Sequence, residues 1–103
     1  MYSNFSTLIE GGTVWGLGVA FKSHIAFAQG RTVESNFHDY KIAQMDETPP
    51  IEVHFINSGA RPLGGPGEVG PVTLVPAVVN ALFAATGRRI RSLPLSRHGF
   101  RMA

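Results

Sequence analysis

From Val69 to Gly87 the chain runs without a single charged side chain, and the run stops abruptly at Arg88-Arg89. A chain with such a segment must cover it with protein or with lipid. A bilayer helix needs about 20 predominantly apolar residues. Here Pro71, Thr73, Pro76, Asn80 and Thr86 interrupt the stretch, so the prediction is a helix of a soluble fold with no membrane span. Leu74, Val75, Val78, Val79, Leu82 and Phe83 recur at helical spacing, and Ala77, Ala81, Ala84 and Ala85 fill most of the gaps. Pro76 suits a first turn and Gly87 a C-terminal stop. Apolar nearly all round, this helix is expected to be buried in a core.

The remaining composition fits a packed chain. With 103 residues, 44% hydrophobic and 16% charged, it is one small domain or a piece of one, and not a disordered polyelectrolyte. A chain of this size buries roughly 65% of its unfolded surface. There is no cysteine, which excludes disulfides, thiolate metal sites, cysteine nucleophiles and cysteine-ligated clusters in this chain. The N-terminus Met1-Tyr2-Ser3-Asn4-Phe5 has no basic segment followed by an apolar core, so no signal peptide is expected. Nine Lys and Arg against seven Asp and Glu give a formal charge of +2. Arg88, Arg89, Arg91, Arg97 and Arg101 crowd the C-terminus. Aromatic residues are not interleaved with them, and no nucleic-acid motif is present. The reading is a solvated segment, or one docked on an acidic neighbour.

Upstream, Val14, Leu17, Ala20 and Phe21 predict a helix over Leu8 to Lys22. Its glycines at 11, 12, 16 and 18 each cost about 1 kcal/mol relative to Ala, tolerable where a backbone or ligand approaches closely. Gly12 and Gly16 share one face, Gly11 and Gly18 another. Ile25–Ala28 and Thr32–Glu34, parted by Gln29-Gly30-Arg31, read as a hairpin. Asn36 to Asp46 is polar with apolar anchors. Ile51–Ile56 alternates as a half-buried strand, with His54 outward, and 89–93 alternates as a final strand. Asn57 to Gly70 reads as loop. The class is therefore α+β, with two helices packed on a small, largely antiparallel sheet, as one domain over residues 1–103.

Chemistry is sparse. His24, His38, His54 and His98 make no i,i+3 or i,i+4 pair, so no metal site is expected. No Gly-x-Ser-x-Gly elbow exists. The unusual feature is Gly64-Gly65-Pro66-Gly67-Glu68 ahead of the apolar helix. Without Lys-Ser or Lys-Thr, and with an acid where phosphate would sit, it is not a P-loop. Two readings stay open. Glu68 is a surface residue of a Gly/Pro turn, or it is presented to a ligand and partly desolvated by the helix behind it. Desolvation raises its pKa toward general-base range, while the helix N-terminus pulls the other way.

The ordered segments Ile9–Leu17, Asn36–Tyr40, Pro50–His54, Gly65–Glu68 and Pro76–Ala81 together resemble the C-terminal end of the molybdenum hydroxylase large subunit. This is the xanthine dehydrogenase and aldehyde oxidase family, and the most similar branch is that of isoquinoline 1-oxidoreductase, in its larger, beta chain. The resemblance spans Ile9 to Leu95, but only a small terminal part of the family's much longer large subunit. It implies that the chain is a fragment of a molybdopterin-binding domain and that Glu68 is the general base. It also implies that Gly65 and Gly67 give Glu68 access to the metal, and that Gly11 and Gly12 lie in a cofactor-binding stretch. The implied cofactor is of the molybdopterin cytosine dinucleotide type. The family's cofactor-contacting glutamines match Leu8 and Trp15 here, and leucine cannot make those hydrogen bonds.

Most cofactor- and substrate-binding segments of the family lie upstream of the matched part, so this chain is not expected to bind the cofactor or to act alone. What the resemblance implies is a module of an oxidoreductase of N-heterocycles or aldehydes. The expected companions are a second copy in a homodimer or a partner chain carrying the rest of the large subunit, together with an iron–sulfur subunit. The expected compartment is the cytoplasm, or the periplasm. The competing reading is a free-standing oligomeric binding module, or a truncated remnant, without redox activity.

Overall fold

The computed structural model describes residues 2–59 and 64–102. Its order is helix α1 (Tyr2–Phe21), strands β1 (Phe27–Ala28) and β2 (Arg31–Thr32), a 3-10 turn Met45–Glu47, helix α2 (Val69–Thr86) and a second 3-10 turn Leu95–His98. The class is α+β. The sheet is the antiparallel pair β1–β2, with Phe27 opposite Thr32 and Ala28 opposite Arg31. Gln29 and Gly30 both take positive φ, 52° and 75°, the geometry of a two-residue turn whose twist matches a hairpin. The Val33 N–H, bonded to the Ala26 carbonyl at 2.8 Å, extends the pairing by one rung.

The helices pack on each other through a stripe of small residues. Gly12, Gly16 and Ala20 of α1 recur every fourth residue and are buried, with Leu17 beside them. A Cβ added at Gly16 would sit 2.8 Å from Leu74 Cδ2 and 3.0 Å from Pro71 Cα. One added at Gly70 would sit 3.0 Å from the Gly12 carbonyl carbon. Contacts this short explain why poor helix formers occupy these positions: without side chains the two backbones touch. Below the crossing, Ala20, Ile90 and Leu95 form the buried core, flanked by Phe21, Val75, Val78, Val79, Leu82 and Phe100. The Leu95–His98 turn thus plugs the lower end of the helix pair.

Several expectations are corrected. α1 begins at Tyr2 rather than Leu8. Ile51–Ile56 and 89–93 are not strands, since alternation makes a strand only where a neighbour pairs with it and none does among the described residues. α2 starts at Val69, so Pro71 occupies its first turn and Pro76 lies in its interior, where it removes the N–H that the Val72 carbonyl would accept. Gly87 does end the helix, at φ 74°, with its N–H on the Phe83 carbonyl at 2.8 Å. Finally, α2 is not a buried core helix. No residue of it is fully buried. Val69, Val72, Pro76, Ala77, Ala81 and Phe83 are exposed on the side away from α1. By length and composition the helix is apolar enough to cross a membrane, yet one of its faces is committed to α1.

Size measures agree that the molecule is open. Its accessible surface is 7822 Å², where a compact monomer of this mass exposes roughly 5,700 Å². Its radius of gyration is 16.1 Å against about 13 Å for a closed domain of this length. The excess, about 2,000 Å², is the amount a sizeable interface hides.

Candidate functional site

The Gly-rich segment and the middle of α1 meet in space. A Cβ built on Gly12 would lie 3.5 Å from the Gly67 carbonyl oxygen, 3.5 Å from Gly70 Cα and 3.6 Å from Pro71 Cδ. Of the two neighbouring glycines that the family resemblance singles out, Gly12 is therefore closed against the loop and the first turn of α2. Gly11 has nothing within 4 Å and faces open space. Gly65 and Gly67 are also open on their Cβ side. Residues 60–63 of the same loop lie outside the described residues.

Glu68 is the residue immediately before α2, with φ −97° and ψ 1°, and its side chain makes no capping hydrogen bond. It is exposed. The apolar helix behind it does not desolvate it, because α2 runs away from the carboxylate and offers it only a first turn. Water solvates this acid within the chain as it stands. What the arrangement provides is an exposed carboxylate on a loop whose glycines leave open space beside it. Leu8 and Trp15, which replace the family's glutamines, are also exposed.

No set of three or more His, Asp or Glu that could hold a metal ion occurs among the described residues. What the described residues bring together here is open backbone at Gly11, Gly65 and Gly67 beside the Glu68 loop, with no side-chain set for a metal.

The Asn36–Tyr40 segment folds on itself. The Asp39 carboxylate accepts hydrogen bonds from the Asn36 and Ser35 backbone N–H groups at 2.9 Å each, and from the Ser35 hydroxyl at 3.2 Å. Those backbone donors, Asn36 first, lower the Asp39 pKa to about 2. Because the folded value is depressed, the stabilisation is present above the unfolded value of 3.8 and is lost as pH falls toward 2. The turn leaves Phe37 94% exposed at its tip. His54 stands outward as expected, 3.5 Å from a Glu52 carboxylate oxygen.

A groove that the sequence does not announce lies far from Glu68. It has a volume of about 650 Å³ and is lined by Phe21, Lys22, Glu47, Ser96, Phe100, Arg101 and Met102. Lys22 and Glu47 form an ion pair across it. The Lys22 hydrogen bond, aided by the Gln44 N–H, holds the Glu47 carboxyl below its ordinary value. Only the arginine crowding near the C-terminus hints at this end of the molecule.

No family model matches the chain. Curated proteins do. It is 37% identical over 87 residues to the beta subunit of isoquinoline 1-oxidoreductase from Brevundimonas diminuta, covering 84% of this chain and 11% of that protein. It is 33% identical over 86 residues to the membrane-bound aldehyde dehydrogenase [pyrroloquinoline-quinone] of Gluconacetobacter polyoxogenes, again 84% of this chain and 11% of the relative. It is 33% identical over 79 residues to the large subunit of nicotine 6-hydroxylase from Paenarthrobacter nicotinovorans, 72% of this chain and 10% of the relative. The chain thus spans about a tenth of the length of the proteins it matches. Moderate identity sustained over more than two thirds of this sequence, on large subunits that oxidise aldehydes and N-heterocycles, shows that the chain belongs to the molybdenum hydroxylase family.

Proposed function

We propose that this chain is a single module, equivalent to the C-terminal segment of the molybdopterin-binding domain, of a molybdenum hydroxylase that oxidises N-heterocycles or aldehydes. In this reading it is inactive until joined by the rest of the large subunit. The observation that carries the reading is the excess of accessible surface, 7822 Å² where roughly 5,700 Å² is normal, in a chain about a tenth as long as its relatives. A piece cut from a larger body leaves such a surface. The exposed side of α2 and the loop before it are where the missing parts would lie. A homodimer covering the same face is the alternative occupant, and in it Glu68 has no catalytic role.

The molybdenum cofactor, of the cytosine dinucleotide type, belongs in this proposal to the completing chain, and when bound it supplies the oxygen-transfer and redox chemistry. An iron–sulfur subunit completes the electron path, and the assembly works in the cytoplasm or the periplasm. What this chain contributes is Glu68 as the group that takes up a proton. Covering the loop would close the carboxylate off from bulk water, where a positioned carboxylate can serve as a base. Gly65 and Gly67, with nothing beside them, let a bulky group come close to the carboxylate. Gly12 fixes the loop to α1, and Gly11 offers open α1 backbone alongside.

Co-expression with the completing chain and measurement of molybdenum content and turnover tests the reading. Glu68→Gln should lower turnover by about 100-fold or more while assembly and molybdenum content hold. Retained activity removes Glu68 from the mechanism. A stable dimer that captures neither partner nor metal favours the free-standing module instead.

A further inference from the structure

We propose that the arginine-rich end of the molecule, at the far end of α2 from Glu68, docks an acidic protein segment that carries an aromatic anchor. α2 is about 27 Å long, so this surface is independent of the Glu68 loop, and the inference does not rest on the redox reading. The groove of about 650 Å³ supplies the anchor site, walled by Phe21 from the end of α1 and by Phe100 and Met102 from the tail of the chain. That volume accepts one aromatic side chain with its flanking backbone. Its polar residues are Lys22, Glu47, Ser96 and Arg101. The two opposite charges among them neutralise each other, since Lys22 is bonded to Glu47. Arg101 is left as the groove's unbalanced charge.

The surroundings carry the same sign. Among the described residues the ion pairs are Lys22–Glu47, His38–Asp39 and His54–Glu52, so none of Arg88, Arg89, Arg91, Arg97 and Arg101 has a carboxylate partner. Two of them are held in place. Arg88 lies over the Phe100 ring, 5.1 Å from its centroid, and donates to the His98 carbonyl at 3.3 Å. Arg89 lies over Phe83 at 4.1 Å and donates to Asn80 Oδ1 at 2.8 Å. Arg97 contacts the His24 ring. A guanidinium has five N–H donors, so each keeps most of its donors for carboxylates, and for Arg88 and Arg89 the ordering cost is already met by stacking. An aromatic-walled pocket with Arg101 in its lining and Arg88 held over the Phe100 ring that walls it has the composition of a protein-interface hot spot. Nucleic acid fits less well, because guanidinium groups already cover the Phe83 and Phe100 faces that bases would stack on.

The test titrates the full chain with a fluorescein-labelled peptide, Asp-Glu-Asp-Phe-Glu-Asp-Glu, read by anisotropy. The same peptide with Ala at its centre and an oligothymidylate of equal charge serve as comparisons. The Phe peptide should bind roughly tenfold more tightly than the Ala peptide, and its affinity should fall with salt. An Arg88→Gln/Arg101→Gln double variant should weaken it by roughly tenfold, with the circular dichroism spectrum unchanged. Equal affinity for the two peptides, tighter binding of oligothymidylate, or no peptide binding would each overturn the proposal. The peptide comparison needs no variant, so it stands even if a variant misfolds.

Discussion

Along α1, Gly12 and Gly16 are pressed against the backbone of α2, whereas Gly64, Gly65 and Gly67 have nothing within 4 Å of where a side chain would begin. On paper the two stretches look alike, each holding three or more glycines close together. In space they are opposites. The first uses glycine to bring two backbones into contact and so holds the fold together. Nothing among the described residues requires the second to be glycine, and in the function proposed above the requirement comes from what approaches it from outside. Where a fold does not need its glycines, the site is the place to look for their use.

Filling the closed side carries the largest expected cost. Gly16→Val should cost about 3 kcal/mol, the upper range for overpacking, because Pro71 Cα cannot retreat from a contact already at 3.0 Å for a Cβ alone. Against a total stability of roughly 5–15 kcal/mol for a native domain, such a loss should be plain as a lower urea midpoint with an unchanged slope. An unaltered midpoint would mean that the helices do not meet there in solution. Gly70→Ala is milder. Its Cβ would meet Gly12 backbone atoms at 3.0 and 3.1 Å, but the gain in helix propensity, up to about 1 kcal/mol, offsets part of the clash. A net loss of about 1 kcal/mol is expected by the same assay.

These closures also mark how far the sequence can be read. Gly87 and the apolar spacing locate the C-terminal end of α2, because both are local signals, whereas its start, expected near Pro76 after a loop to Gly70, lies at Val69. The N-terminal turns of α1 escape such a reading, since Tyr2 to Thr7 carries little apolar periodicity. The hairpin is legible from Gly30 alone, but its strands are shorter than Ile25–Ala28 and Thr32–Glu34. Ile51–Ile56 misleads because alternation reports a face, not a partner. At the site, the loop and Glu68 are legible. Their closure onto Gly12 is not, for nothing local ties residue 12 to residues 67 and 70. The burial expected of α2 fails for a related reason: an apolar face declares that it wants cover without saying that the cover is in the same chain.

The neighbours Gly11 and Gly12 sharpen the contrast within a single turn. Gly11 is helical and open, so Gly11→Ala should raise stability by up to about 1 kcal/mol through helix propensity, seen as a higher urea midpoint. Gly12→Ala, whose Cβ would lie 3.5 to 3.6 Å from three α2 and loop atoms, should gain less. Equal gains would show that the loop stands off from α1.

The smallest effect on stability carries the most information about function. Gly67 is not at a positive φ and a Cβ there meets nothing, so Gly67→Ala should leave the stability of this chain within about 0.5 kcal/mol. In the assembled enzyme proposed above, the same methyl group would stand beside Glu68, in the space through which the cofactor approaches it. Turnover should therefore drop while the melting behaviour of the isolated chain stays put. That split separates a glycine kept for folding from one kept for what lies outside the chain. If turnover and stability both hold, the open loop has no such visitor, and the contrast between the two glycine stretches reduces to packing on one side and indifference on the other.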